Sequence, residues 1–243
     1  MKMSKAKHTG KLHIEKNRPN EDYVLAQKIT PNIAVVVVAD GAGSKRYGGA
    51  TADCITRQVV KFCIENADRD DFIVLTKSEI YSYVNKSLFD MIKKNDARIE
   101  DHGATMMFAI VCDTKYVAGH VGDGAIFLKN GKSFDVLSLP ENGEFINQTY
   151  FLPAVAQMEH FRMYEGELEK EFCFILTSDG ISGTLYNPTD NQVSCACEQL
   201  YQWCKVYDAD ICDEILKENL EKVFDRYSDD DKSIAILCDG LDS

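Results

Sequence analysis

The run Val35-Val36-Val37-Val38-Ala39 stops at Asp40-Gly41, and this junction constrains the chain more than any other feature. Consecutive β-branched residues favour extended backbone, and Asp-Gly is a turn former that ends it. The pattern recurs along the sequence. The apolar stretch 172–178 stops at Asp179-Gly180, Asp22 opens the segment 23–28, and Asp229, Asp230 and Asp231 precede 233–238. Asp123 stands in Val121-Gly122-Asp123-Gly124, between two further apolar segments. Any one of these is an ordinary turn; together they put acids at the ends of several strands, where loops can converge.

Segments 32–39, 104–112, 116–121, 125–128 and 160–164 are also rich in β-branched and aromatic residues and predict strands, with Asn130-Gly131 predicting a tight hairpin. Apolar residues at helical spacing (Ala52, Ile55, Val59, Phe62, then Ile80, Val84, Leu88, Met91, Ile92) predict two helices, with Thr76 and Glu79 as a capping box for the second. Thr189 with Gln192 predicts the start of a third helix running to about Tyr207. A fourth, from Asp210 to about Tyr227, carries Leu216, Leu220, Val223 and Phe224 on one side. This order of elements predicts an α+β fold, a four-layer α-β-β-α sandwich of two stacked, mainly antiparallel sheets flanked by helix pairs. Residues 1–243 are read as a single domain with one continuous core.

Charge narrows the partners. With 39 acidic against 27 basic residues the net charge is −12, which repels a nucleic-acid backbone. No stretch is long enough to span a bilayer, and the basic start leads into no apolar run of the kind a secretion signal carries. Nine cysteines, an odd number at long intervals, point to free thiols in a reducing compartment, so a cytoplasmic location is expected, without membrane or nucleic-acid partners. Carboxylates gathered at the edge of a core repel one another and lose hydration, so the acidic cluster calls for cations. Oxygen-only donors select hard ions, Mg2+ or Mn2+ over zinc, and the backbone freedom of Gly41 lets its carbonyl join them.

In this order the motifs resemble those of the metal-dependent protein phosphatases, the PPM or type 2C serine/threonine family, over nearly the whole chain. Asn20-Glu21-Asp22 resembles the first acidic motif, and Val38-Ala39-Asp40-Gly41-Ala42-Gly43 resembles the metal-bridging one. Gly103-Ala104-Thr105 resembles the small-residue entry to a strand, and Val121-Gly122-Asp123, Ser178-Asp179-Gly180 and Asp230-Asp231-Lys232-Ser233 resemble the later motifs. The resemblance implies hydrolysis of phosphoserine or phosphothreonine in proteins by a water bridging two divalent cations, with no phosphoenzyme. It implies that Asp40 bridges the ions with Gly41 beside it, and that Asp179 and Asp230 bind one of them, making Asp40 and Asp179 catalytic. Glu21 and Asp22 are implied to act largely through coordinated water, and Asp123 matches the position linked in some bacterial members to a third, weaker metal. The implied partner is a phosphorylated protein, a serine/threonine kinase among the candidates, and a monomer is expected.

The sequence also departs from the family pattern. Ala42 stands where animal members have a histidine thought to protonate the leaving group, which bacterial members often lack too. Arg18, the candidate for gripping the substrate phosphate, is one residue closer to the Asn-Glu-Asp motif than the pattern expects, and a solvated loop charge is the competing reading. The interval from Asp123 to Asp179 is short where typical members build a flap. Three consecutive aspartates allow two registers; Asp230 is chosen because Ser233 then falls at the family's threonine, with Asp231 as the fallback. These departures keep open an alternative, a catalytically weak or inactive relative that binds phosphorylated partners. A phosphohydrolase of the haloacid dehalogenase type is disfavoured, because its second aspartate belongs at position 42.

Other features read as structure. The stretch from Cys63 to Arg69 has the spacing of a thiol-phosphatase loop, but it carries Glu65 and Asp68 and continues a helix. Cys195, Cys197, Cys204 and Cys212 lack a Cys-x-x-Cys knuckle and read as small core residues. His120 reads as a strand side chain, Trp203 as helix packing, and Lys45 with Arg46 as a pair able to attract a phosphorylated substrate.

Overall fold

The computed structural model describes residues 1–141, 149–153, 158–189 and 192–240. Its first half comprises β1 (Lys2–His8), α1 (Lys11–Glu15), β2 (Asp22–Lys28), β3 (Ile33–Asp40), α2 (Gly48–Asn66), α3 (Phe72–Lys94), β4 (Met106–Cys112) and β5 (Lys115–Val121). There follow β6 (Ala125–Asn130), β7 (Phe134–Ser138), β8 (Arg162–Glu167), β9 (Phe172–Thr177), α4 (Asp179–Leu185), β10 (Tyr186–Asn187), β11 (Gln192–Val193), α5 (Ala196–Val206), α6 (Ala209–Lys222) and β12 (Lys232–Cys238). Two five-stranded antiparallel sheets result, ordered β1-β12-β9-β6-β7 and β2-β3-β4-β5-β8, with β10 and β11 as a small ribbon.

The strand β3 shows why the layers stack. Its side chains alternate between faces. Ala34, Val36 and Val38 enter the seam between the sheets, while Val35, Val37 and Ala39 pack under α2 and α3. On the other sheet Phe174, Leu176, Ala235 and Leu237 fill the seam, and Cys173, Ile175, Ile234 and Ile236 pack with Leu200 of α5 and Leu216 of α6. The four-layer sandwich expected from the order of elements is therefore the architecture found. Among the described residues no helix is long and apolar enough to cross a membrane.

Several local readings are corrected. β1 was not apparent in the sequence, yet it pairs with β12 from Lys2 opposite Cys238 to His8 opposite Lys232. Its lysine-rich edge buries only Ser4 and Ala6, which hides its strand character. The helix expected after Thr76 begins earlier, at Phe72, because Phe72 and Leu75 extend the buried stripe; the Thr76 hydroxyl donates back to the Phe72 carbonyl at 2.8 Å. Gln192 caps nothing, since Gln192–Val193 pairs with Tyr186–Asn187 and α5 opens only at Ala196. The last helix stops at Lys222 and passes into a 3-10 turn at Phe224–Arg226. Asn130-Gly131 does turn β6 into β7, with Gly131 at φ +87°. Cys63 lies inside α2, Cys197, Cys204 and Cys212 are buried, and Cys195 is exposed. Of the short interval between Asp123 and Asp179, residues 142–148 and 154–157 lie outside the described residues.

Candidate active site

One end of the sandwich collects the acids. Asp22 and Asp40 sit opposite each other in the β2–β3 ladder, Asp179 opens α4 straight after β9, and Asp230 lies just ahead of β12. Because β9 and β12 are neighbours, the last two motifs are stitched together. The Ser178 N–H donates to the Ser233 carbonyl (3.1 Å), and the Ser233 N–H donates to Ser178 Oγ (2.9 Å). Thr105 fixes Asp40 in the same manner: it accepts from the Asp40 N–H on Oγ1 (2.9 Å) and donates its own N–H to the Asp40 carbonyl (2.8 Å). A Cβ on Gly41 would stand 2.5 Å from the carbonyl carbon of Gly48, so glycine is what lets the first turn of α2 close on the Asp40 loop.

Asp40, Asp123, Asp179, Asp230 and Asp231 line one cleft of about 170 Å³, together with His13 and Phe151. Asp22, opposite Asp40 in the ladder, is 0% exposed, and neither of its carboxylate oxygens has a hydrogen-bond partner among the described residues. Lost hydration pushes Asp22 up to about 7, the charges of Asp231 and Asp179 add to this, and the nearby hydroxyls of Ser233 and Ser178 oppose it without completing a bond. Burial, then Asp22, Asp179, Asp123 and Asp230, hold Asp40 well above the usual carboxylate range. Asp179 keeps solvent access as a residue, yet the protein crowding its carboxyl, followed by Asp123 and Asp230, raises it to about 6. Burial also raises Asp123, opposed by the Thr149 hydroxyl, which donates to Oδ2 at 2.5 Å.

This is a set of oxygen donors short of positive charge. Mutual repulsion, raised acids and two orphaned buried oxygens fit hard divalent cations. Among the described residues no three donor side chains already converge at metal-bonding spacing; the acids line the walls of the cleft. Two lysines that sequence reading passed over offset the charge from behind. Lys232, 0% exposed, donates to the Asp230 carbonyl (2.7 Å) and to Asp225 Oδ1 (3.1 Å), and Lys7 donates to the Asp22 carbonyl (2.6 Å).

The remaining candidates separate by what they touch. Asp231 spends its oxygens on the N-terminal segment: Oδ1 accepts from the Gly10 N–H (2.8 Å), and Oδ2 accepts from the Glu21 N–H (2.6 Å) and faces His13 Nδ1 (2.8 Å). Among the described residues the Asp230 carboxylate makes no such links, its Oδ1 accepting from the neighbouring Asp231 N–H. Glu21 is nearly buried, and one guanidinium nitrogen of Arg18 donates to both its oxygens (3.0 and 2.9 Å) while reaching the Gly43 carbonyl (3.3 Å). Arg18 is thus placed at the rim of the acidic loops, engaged by Glu21. Sequence reading also missed His13, which α1 carries into the cleft with Nε2 3.7 Å from Glu21 Oε2. His120 is a buried strand residue beside Ser138 Oγ (2.8 Å), held well below its ordinary value by burial and then by Arg162. Lys45 donates to the Glu100 carbonyl (3.0 Å), and Arg46 lies over the Tyr47 ring.

Two stacked antiparallel sheets with an acid-lined cleft at one end define the class of the type 2C phosphatases. The model of the protein phosphatase 2C family matches residues 9–224, and the chain belongs to that family. In structure it resembles a bacterial serine phosphatase (TM-score 0.70, 16% identity, 100% of both chains covered). It also resembles PppA, a key regulatory component of T6SS in Pseudomonas aeruginosa (TM-score 0.66, 15% identity, 98% of this chain and 96% of that one). A further likeness is to the catalytic domain of the serine threonine protein phosphatase PstP in complex with two manganese ions (TM-score 0.65, 13% identity, 98% and 96% covered). No curated protein matches the sequence.

Proposed function

We propose that the protein hydrolyses phosphoserine or phosphothreonine in protein substrates, using two divalent cations, Mn2+ or Mg2+. The observation that carries this reading is the meeting of Asp40, Asp123, Asp179 and Asp230, far apart in sequence, on the walls of one cleft. Asp40, the Gly41 carbonyl, Asp179 and Asp230 are the residues that would hold the pair, with Glu21 and the orphaned Asp22 acting through water and Asp123 available to a third ion. Cations bound there supply an acidified water and neutralise charge on the phosphate.

The rest of the chemistry belongs to the chain. A serine or threonine alkoxide leaves poorly without a proton, and Ala42 has none to give. His13 is placed for this task. Asp231 fixes its Nδ1, and when the ring carries both protons the one on Nε2 can pass to the departing oxygen. The manganese-bound relative supports the choice of metal, the net charge of −12 disfavours a nucleic-acid substrate, and the nine cysteines suit a cytoplasmic protein; its substrates would be phosphoproteins, a kinase among them. A manganese-loaded sample should dephosphorylate a phosphothreonine peptide well above an Asp179→Asn control; activity equal to the control would refute the reading.

The engagement of Arg18 by Glu21 favours one second reading, a phosphoprotein-binding relative with weak turnover. Tight phosphopeptide binding without product release would select it.

A further inference from the structure

One large apolar residue lines the acidic cleft. Among the described residues lining it, Phe151 is the sole large apolar side chain, sharing the cleft with Asp40, Asp123, Asp179 and Asp230. Nothing in the handling of a phosphate dianion by cations requires an aromatic ring, so its presence asks for another reason.

The backbone holds that ring in place through three neighbours. Leu152, fully buried, exchanges two hydrogen bonds with Ala104: its N–H donates to the Ala104 carbonyl at 2.9 Å, and its carbonyl accepts from the Ala104 N–H at 3.1 Å. Ala104 is bridged on its other side to Gly41, so Gly41, Ala104 and Leu152 form a short ladder that aligns residues 149–153 with the loop after Asp40. Thr149 donates to Asp123, and Tyr150 stacks on the ring of His160. Phe151 is the residue of this strap left facing the cleft, half-buried and without a polar partner.

A phosphoester has two unlike parts. The phosphoryl oxygens would be held by cations bound to the acidic residues, which alone would repel them, whereas the carbon group on the ester oxygen has to lie against something else. An aromatic face covers such a group at little entropic cost, because a phenylalanine ring has few rotamers to lose. We propose that Phe151 is a specificity-determining residue that packs against the organic group carrying the phosphate and takes no part in binding the phosphate itself. The inference rests on the phosphatase reading of the cleft and names a contact within it.

The contrast between organic phosphoesters and inorganic phosphate tests it. With manganese present, Phe151→Ala should raise KM for a phosphothreonine peptide and for p-nitrophenyl phosphate roughly tenfold, the scale of one lost apolar pocket contact. Inhibition by inorganic phosphate should stay at the wild-type level, and Phe151→Leu should recover most of the loss. An unchanged KM overturns the proposal, and so does a parallel shift in phosphate inhibition, which would mark a distorted cleft. If wild type turns over no substrate, the phosphatase reading fails on its own, and calorimetric binding decides this one: a phosphopeptide bound tenfold more weakly by Phe151→Ala, with inorganic phosphate unaffected, sustains it, and equal affinities overturn it.

Discussion

The seam between the sheets and the acidic end of the same strands are built on opposite principles. In the seam, Val36, Val38, Ala109, Phe174, Leu176 and Ala235 are all 0% exposed, and each large side chain buried there contributes about 1.5–3 kcal/mol. A few residues along, β2 and β3 bring together Asp22, whose buried carboxylate oxygens find no hydrogen-bond partner, and half-buried Asp40, which the charge of Asp22 disfavours. The first region drives folding; the second opposes it. Because the seam is close-packed, the acids have no room to drift apart, and the strain of their proximity persists in the folded chain; cations held as proposed would relieve it.

The largest expected effect is a substitution that helps one region and ruins the other. Asp40→Asn should lower kcat/KM with Mn2+ by on the order of 10³-fold, as the loss of a central electrostatic group does. In EDTA the same variant should melt higher than wild type. A lower melting temperature in EDTA would show that Asp40 is not a source of repulsion. The seam is probed by Phe174→Ala, expected to cost about 3–5 kcal/mol in urea unfolding, as buried aromatic truncations do. A cost below about 1 kcal/mol, the level of an ordinary surface change, would place the stabilising core elsewhere.

A smaller effect is expected at His13. His13→Gln should reduce turnover of a phosphoserine peptide by roughly 10²-fold, the contribution of a general acid, and reduce p-nitrophenyl phosphate turnover much less, since nitrophenolate leaves without help. Equal losses on both substrates would assign His13 a structural role only. The smallest effect is the pH dependence of the metal-free protein. Folded Asp22 holds its proton up to about 7, whereas in the unfolded chain it is released near 4. Its contribution to stability is therefore complete below about pH 4 and lost as pH rises through about 7. The metal-free melting temperature should fall between pH 5 and pH 8 and recover on adding Mn2+; a rise over that interval would contradict the raised state of Asp22.

How much of this was legible depended on whether a signal was local. β3 and β9 could be read because unbroken apolar runs admit few alternatives, and the Asp-Gly pairs after them marked their ends. β1 was hidden because an edge strand needs only Ser4 and Ala6 to face inward, and its lysines read as a loop. The family motifs pointed to the acids one by one, but nothing in the sequence distinguishes His13 from the other histidines. Its importance comes from Asp231, to which it is joined across the whole length of the chain. Lys232 likewise reads as an ordinary surface charge until β12 buries it behind Asp230. Choosing Asp230 rested on register; both Asp230 and Asp231 line the cleft, and only the tertiary structure distinguishes them, by bonding Asp231 to Gly10, His13 and Glu21.

By itself the sequence determined where strands start and stop and which residue types stand at their ends, because hydrophobic period and turn chemistry act over a few neighbours. Only the tertiary structure decided which of those ends meet, that Asp22 is stranded without a partner, that Asp231 gathers the N-terminal segment, and that Phe151 faces the acids. Those outcomes depend on strand order and on desolvation across the seam, which are set by contacts between residues far apart in the chain.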